Sequence, residues 1–139
     1  MWVADINSGL LKINNSGAVI QTVTVGSGPV SPVFDGTNLW VPNVYTNSVS
    51  VVRASTGTVI ATLTGNGLDG PQGGAFDGQR VLLVNYPGGP TATASLWKAA
   101  DLTTIGSFDL GAGGSPYGAC SDGVSFWIAL NGRSALGRF

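Results

Sequence analysis

An internal repeat constrains the fold of this chain more than any other feature of its 139 residues. Three of the four Asp-Gly dipeptides, beginning at Asp35, Asp77 and Asp122, lie at intervals of 42 and 45 residues. Each copy is followed at one fixed offset by an apolar pair and is preceded at another by Gly-Pro or Ser-Pro. Several features that keep one period of this length indicate a chain built from repeated supersecondary units.

Each repeat contains four short apolar runs separated by turn residues. In the second repeat these runs cover residues 30–34, 39–44, 48–53 and 58–64. Asp35-Gly36 is expected to close a hairpin between the first two runs, because Gly tolerates positive φ and Asp closes an Asx-type turn. The second run is apolar on both faces, whereas the third and fourth alternate more and are expected nearer to solvent. A four-stranded antiparallel unit of about 40–45 residues with buried inner strands is typical of a β-propeller blade.

The frame of the repeat predicts an all-β chain with two full and two partial blades. When the strands of a blade are named A to D from the axis outward, the chain begins with B, C and D and ends with A, B and C. Within one partial propeller domain, 1–139, the predicted partial blades are 1–28 and 115–139, and the full blades are 29–69 and 70–114. Closed propellers have about four to eight blades, so an incomplete ring is expected.

The repeat also places other residue types in register. Trp2, Trp40 and Trp127 share one position, and we expect them to pack between blades. Cys120 shares the position of small apolar residues in the other repeats, which predicts a small buried side chain. One cation per repeat follows the third apolar run at a shared position, and these cations are Lys12, Arg53, Lys98 and Arg138. Either a basic rim for an acidic partner or solvated charges that prevent sheet-to-sheet pairing would explain them.

The repeat resembles a known bacterial family. The segments 28–29, 34–36, 39–43, 47–52 and 57–63 resemble the YVTN-type propeller repeat and the related streptogramin-lyase-like and NHL-type propellers. The resemblance covers essentially the whole chain and implies a β-propeller fold, but its motifs are shared by propellers of many activities. Streptogramin lyases use a histidine-based site, and this chain contains no His, so the resemblance does not imply that activity here.

Composition argues against an enzyme in this segment. Without His, the chain has no side chain that ordinarily titrates between pH 5 and 8, no His-based triad and no imidazole metal ligand. Glu is also absent, so acid–base chemistry would depend on seven Asp residues, of which three belong to the repeated turn. The loop 66–70 has one carboxylate where a tight Ca²⁺ loop needs several. We therefore predict no catalytic residue, no metal and no cofactor.

Charge and hydropathy limit the partners. The formal net charge is −1 and the isoelectric point is near 4.8, so a basic surface for nucleic acid is not expected. Residues 13–34 are uncharged, but they contain too many polar residues and helix breakers for a membrane-spanning helix.

The loops that join strand D to A and strand B to C are the expected binding region. The B–C loops vary most in length, and variable loops on a rigid frame are where specificity is placed. The candidate binding residues are Asp5, Asn43, Tyr45, Asn47, Asn85, Tyr86 and Arg133. Asn and Tyr among Gly and Ser form an adaptable neutral surface that suits a protein or a carbohydrate. For Asn43 and Asn85, termination of the second strand is the alternative explanation.

These observations favour a non-catalytic binding or assembly scaffold of an exported or surface bacterial protein, placed outside the cell, at its surface or in the periplasm. The alternative is a fragment of a larger lyase-like or hydrolase-like propeller enzyme whose active site lies outside this segment. Two apolar blade faces would lack a neighbour, and soluble monomers rarely expose such patches. We expect either further blades of a longer chain or a homo-oligomer, most simply a dimer that joins residues 1–13 to 117–139 and completes the ring.

Overall fold

The computed structural model describes residues 1–86 and 91–139, which form four antiparallel sheets. Blade 1 contains β1 (Trp2–Asp5), β2 (Gly9–Ile13) and β3 (Val19–Val23), and blade 2 contains β4 (Val33–Phe34), β5 (Asn38–Asn43), β6 (Ser48–Arg53) and β7 (Thr58–Leu63). Blade 3 contains β8 (Pro71–Phe76), β9 (Arg80–Asn85), β10 (Thr91–Lys98) and β11 (Thr104–Ala112), and blade 4 contains β12 (Pro116–Ser121), β13 (Phe126–Leu130) and β14 (Ala135–Arg138). The prediction of two four-stranded and two three-stranded blades is confirmed.

The three Asp-Gly dipeptides that share the repeat register form the hairpin between strands A and B, as predicted. Asp35 Oδ1 accepts hydrogen bonds from the backbone N–H groups of Thr37 (2.8 Å) and Asn38 (2.6 Å). Gly36 has φ +94°, a backbone angle that residues with a Cβ rarely adopt. Asp77 and Asp122 accept the equivalent backbone bonds in blades 3 and 4. The repeated dipeptide therefore forms the same type of turn in blades 2, 3 and 4.

The core lies between consecutive blades. Side chains alternate along each strand, so one set packs against the preceding blade and the other against the following blade. Leu39 and Val41 of β5 contact blade 1, whereas Trp40 packs against Val81 and Leu83 of blade 3. A third cluster joins blade 3 to Phe126 and Ile128 of blade 4. The inner strands are thus buried on both faces, which explains their continuous apolar sequence.

The third strand of blade 2 is buried, and the expectation that it lies nearer to solvent is wrong. Ser48 and Ser50 are 3% and 1% exposed. Their hydroxyls accept hydrogen bonds from Nδ2 of Asn43 at 3.2 and 3.1 Å, so these polar groups are satisfied between blades. The fourth strand, β7, has mostly exposed side chains, as expected.

The shared Trp position packs toward the following blade. Trp40 is fully buried, and Trp2 contacts blade 2 and donates from Nε1 to the Ala54 carbonyl at 3.1 Å. Trp127 faces outward from blade 4 and is only half-buried, since no blade follows within the described part of the chain. For the same reason Cys120, its cross-strand partner, is exposed, and its predicted burial is wrong.

The four cations of the third strand occupy two positions, so the predicted single register is wrong. Lys12 pairs with Trp2, and Arg138 pairs with Trp127. Each of these cations lies over the indole ring, at 5.2 and 5.7 Å from the centroid. Arg53 and Lys98 instead lie opposite the first residues of β5 and β9, two places before the Trp position. The hairpins set these registers, and a shift of two residues keeps a side chain on the same face.

The inner strands approach each other closely along the propeller axis. β8 packs between β4 and β12. A Cβ at Gly73 of β8 would lie 2.9 Å from the Tyr117 carbonyl oxygen, so glycine permits this approach. Within the ranges that the structure describes, no helix has the length and apolarity needed to cross a bilayer.

Candidate binding surface

The B–C and D–A loops meet at one end of the blades. Each B–C loop donates a backbone hydrogen bond to the D–A connection that precedes its blade, and this contact recurs in three blades. The bonds run from Val44 to Gly28 (2.9 Å), from Tyr86 to Gly70 (3.0 Å) and from Gly132 to Gly114 (3.3 Å). The loops are therefore tied to one another by backbone contacts, which limits their freedom.

Tyr45 and Asn47 occupy the B–C loop of blade 2. Tyr45 is 68% exposed, and its ring packs over Gly28, where a Cβ would lie 2.6 Å from the ring. Asn47 adopts a left-handed conformation with φ +47°. Its Oδ1 accepts the Gly70 N–H at 2.8 Å, and its Nδ2 donates to Asp69 Oδ1 at 3.2 Å. Asn47 thus connects blade 2 to the entry of blade 3 and fixes the loop that carries Tyr45.

Tyr86 of blade 3 packs against Tyr117 of blade 4, with ring centroids 5.5 Å apart and planes tilted by 52°. Tyr117 is 51% exposed, and sequence reasoning missed it. Its signal in the sequence was the aromatic residue directly after Ser115-Pro116, where blade 3 has Gln72. All three tyrosines of the chain therefore lie at the loop end of the blades.

Arg133 lies in the short 3-10 turn Asn131–Arg133 of blade 4. Its guanidinium donates from Nε to the Ala112 carbonyl at 2.8 Å, and Nη2 donates to the same oxygen. This contact holds the cation on the connection between blades 3 and 4, with the side chain exposed.

Asp5 ends β1 at the same end of blade 1. Its Oδ1 accepts the backbone N–H groups of Asn7 (2.9 Å) and Ser8 (2.8 Å). These hydrogen bonds, Asn7 first, hold the pKa of Asp5 below its usual value. The carboxylate is exposed at a hairpin turn, and its geometry is explained by that turn.

Asn43 and Asn85 are the last residues of β5 and β9, and both are fully buried. Asn85 Nδ2 donates to Thr93 Oγ1 (3.1 Å) and Ser95 Oγ (2.8 Å), which matches the pattern at Asn43. Ser95 and Thr93 in turn donate to backbone carbonyls of the connection before blade 3. The two asparagines thus organise the interior, and their side chains present no surface to a partner.

The acidic and sulfur side chains do not converge. Among residues 1–86 and 91–139, no group of three or more His, Cys, Asp or Glu side chains is close enough to hold a metal ion. Asp69, the carboxylate of the loop 66–70, accepts its hydrogen bond from Asn47.

Comparison with solved structures shows which fold this is. Hydrazine synthase of Kuenenia stuttgartiensis matches with a TM-score of 0.73 and 20% identity, over 86% of this chain and 35% of that one. U3-55K matches with a TM-score of 0.72 and 13% identity, over 99% of this chain and 47% of that one. The WD40 repeats of RRP9 match with a TM-score of 0.72 and 14% identity, over 99% and 46%.

Comparisons with protein-family models and with curated sequences give no match. The chain spans less than half the length of the solved structures named above. At identities of 13–20%, the likeness concerns architecture, since one fold serves many functions. The chain has a β-propeller fold that comprises part of a ring.

Proposed function

We propose that this chain is a non-catalytic scaffold that binds a protein partner through its loop end. The binding surface consists of Tyr45, Asn47, Tyr86, Tyr117 and Arg133, here called the loop surface. The observation that carries the proposal is the placement of all three tyrosines at this end, on loops tied together by backbone hydrogen bonds. The likeness to WD40 repeats supports an interaction role.

Tyrosine suits this purpose for physical reasons. It offers a large amphipathic contact area with few rotatable bonds, so ordering it on binding costs little entropy. Energetically dominant contacts in protein interfaces are enriched in Tyr and Arg. Tyr45 is restrained by Gly28, and Tyr86 is restrained by its contact with Tyr117. Such a surface is largely formed before the partner arrives, which lowers the cost of association.

Peptides selected from a displayed random library provide a test. Selected peptides are expected to compete with one another and to bind the double variant Tyr45→Ser, Tyr117→Ser at least tenfold more weakly. Val124→Ser is the matched control, because Val124 is 78% exposed in the A–B turn of blade 4. Equal binding to the double variant would overturn the proposal. So would binding of neutral oligosaccharides, but not peptides, at this surface.

We also propose the kind of protein to which the chain belongs and its location. We place it in an exported or surface bacterial protein of the YVTN or NHL type, which the repeat resemblance and the neutral polar loops support. The larger propeller enzyme with a distant active site is the competing proposal. Secretion assays of the native gene product, with fractions probed by an antibody to this chain, distinguish an exported protein from a cytoplasmic one.

We also propose that a second copy of the chain covers the open faces of blades 1 and 4 and completes the ring. In blade 4, Trp127 and Leu136 occupy the positions that Trp40 and Val49 fill in blade 2, where both are fully buried. Leu136 is 71% exposed. On blade 1, the opposite face presents Val3, which corresponds to the buried Val41.

The chain itself shows how these two kinds of face meet. At each of its three junctions, the face with the Trp position packs against a face with alternating apolar residues of the next blade. The open face of blade 4 is of the first kind, and the open face of blade 1 is of the second. Two chains that join residues 117–139 to residues 1–13 would repeat the same packing, with the symmetric contacts of a closed dimer. Further blades of a longer chain would cover the same faces.

A further inference from the structure

The chain contains one copy of the motif Asn-x-Ser/Thr, in which x is any residue except Pro. This copy is Asn14-Asn15-Ser16, and no other Asn of the chain is followed by Ser or Thr at the required spacing. The motif is the acceptor sequence for N-linked sugars on surface loops of exported proteins. The acceptor atom in such a motif is the side-chain nitrogen of the Asn, so the surroundings of Asn14 decide whether the site is usable.

The motif lies in the turn between β2 and β3, which joins strands C and D of blade 1. All residues of the turn, 14–18, are exposed. A Cβ at Gly17 would have no other atom within 4 Å, so the tip of the turn is open. The C–D turn and the B–C loop lie at opposite ends of strand C. A group attached to this turn therefore leaves the loop surface free.

Hydrogen bonds hold the Asn14 side chain in one orientation. Its Oδ1 accepts the backbone N–H groups of Ser16 (3.0 Å) and Ala18 (2.9 Å) and the hydroxyl of Ser16 (2.8 Å). Because backbone N–H groups only donate, the amide atom that faces them is the oxygen, and Nδ2 is the other atom. Within residues 1–86 and 91–139, Nδ2 of Asn14 forms no hydrogen bond. The acceptor nitrogen is thus the unengaged atom of an exposed side chain.

The two residues that define the motif are in direct contact. The Ser16 hydroxyl lies 2.8 Å from Asn14 Oδ1. An enzyme that recognises the hydroxyl of the third residue therefore finds it beside the amide that it modifies. The turn presents both groups together in the folded chain, so recognition does not require blade 1 to unfold.

The turn itself does not require an amide at this position. In the C–D turn of blade 3, Asp101 Oδ1 accepts the backbone N–H and the hydroxyl of Thr103, at 3.1 and 2.6 Å. A carboxylate oxygen thus makes the hydrogen bonds there that an amide oxygen makes in blade 1. Asn14 differs by its nitrogen, an atom that the turn does not use.

We propose that Nδ2 of Asn14 is the attachment site of an N-linked sugar. In the transfer step, Nδ2 forms a bond to the anomeric carbon of a sugar that is activated by a diphosphate. The bond from that carbon to the diphosphate oxygen breaks, and the diphosphate leaves with the electron pair. One proton of Nδ2 passes to a base of the transferase. A nucleotide-linked sugar and a lipid-linked oligosaccharide share this chemistry, and the experiment below distinguishes them.

A sugar on this turn would lie next to an apolar edge. Val19 and Ile20 begin β3, the edge strand of blade 1, and are 52% and 58% exposed. Exposed apolar edge strands tend to pair with other sheets, and a bulky polar group nearby hinders such pairing. The assignment rests on the proposed export of the protein, because this modification is found on exported proteins.

Sugar transfer to the purified chain tests the site without depending on export. The folded 139-residue chain is incubated with an Asn-x-Ser/Thr-specific N-glycosyltransferase and UDP-glucose, or with an oligosaccharyltransferase and a lipid-linked oligosaccharide. Peptide mass spectrometry is expected to find sugar on Asn14, and the donor that reacts identifies the source. The variant Asn14→Asp keeps an oxygen for the turn and should carry no sugar, with an unchanged circular dichroism spectrum. Ser16→Ala should lower the modified fraction at least tenfold, whereas Ser16→Thr should retain it.

Asn15→Gln is the matched control, because it changes the neighbouring exposed amide and leaves the motif intact. It should be modified like the wild type. Absence of transfer to the wild-type chain from both donors would overturn the proposal, and so would equal modification of Ser16→Ala. Secreted native protein with an unmodified Asn14 would also overturn it. Retention of the native protein in the cytoplasm would instead contradict the proposed export, a result that the transfer assay does not measure.

Discussion

Trp40 donates its indole N–H to Oδ2 of Asp35 at 2.8 Å, so the repeated turn and the repeated aromatic residue form one hydrogen-bonded unit. Asp122 and Trp127 reproduce the bond at 2.9 Å in blade 4. In blade 3, Leu82 occupies the Trp position, and Arg80 binds the turn carboxylate instead. The aspartate therefore closes the turn with one oxygen and orients a side chain of strand B with the other.

Acid should destabilise the fold through these turn carboxylates. The hydrogen bond from Trp127, followed by those from the Ser125 and Val124 N–H groups, lowers the pKa of Asp122 to about 2 from its usual 3.8. The unfolded chain then binds more protons than the folded chain as the pH falls below about 4. The free energy of unfolding is expected to decrease between pH 4 and pH 2, with this contribution fully present above that range. Urea titrations across this range measure the slope, and Asp122→Asn should make it shallower. An unchanged slope in that variant would contradict the assignment.

Truncation of the buried Trp should be far more costly than truncation of an exposed Tyr. Trp40→Ala removes a fully buried side chain between blades 2 and 3 and is expected to cost about 3–5 kcal/mol. Tyr45→Ala, at a residue 68% exposed, should cost much less. Urea denaturation of both variants gives the comparison. The reverse order would show that the interblade cluster is not the main source of stability.

The asparagine network should be sensitive to loss of its donor. Asn85→Ala removes the two hydrogen bonds that Nδ2 donates to the buried Ser95 hydroxyl and the partly buried Thr93 hydroxyl, and each lost hydrogen bond costs about 0.5–1.5 kcal/mol. Asn7→Ala is the control, because Asn7 is exposed in the β1–β2 turn. Thermal unfolding of both variants measures the difference. Equal melting temperatures for Asn85→Ala and the wild type would rule out a structural role for the network.

Ring completion by a second copy should be visible in solution. The 139-residue chain is expected to be a dimer at micromolar concentration, measured by light scattering after size exclusion. Leu136→Asp places a charge on the open face of blade 4 and should shift the chain toward monomer. Val19→Asp is the control, since Val19 is exposed on the outer strand β3. A stable, well-dispersed wild-type monomer would contradict completion by a second copy.

Local patterns in the sequence determined the strands and their grouping into blades. Asp35-Gly36 specifies a turn through positive φ and an Asx hydrogen bond, and these depend on neighbouring residues alone. The apolar character of β5 on both faces predicted burial on both sides, which the structure confirms. Repetition of these local signals at one period is what made the propeller fold predictable from a single sequence.

Only the tertiary structure decided which polar residues are buried and which apolar residues are exposed. Ser50 alternates with Val as in a solvated strand, yet Asn43 from the adjacent strand satisfies its hydroxyl between blades. Lys12 and Arg53 differ in register because the pairing of each hairpin, which no single strand specifies, sets the cross-strand partner. Cys120 and Trp127 are at positions that a following blade would bury, and their exposure depends on what lies beside blade 4. Burial is a property of the neighbouring sheet as well as of the residue, so the repeat determined the blades while the packing of one blade against the next determined the surface.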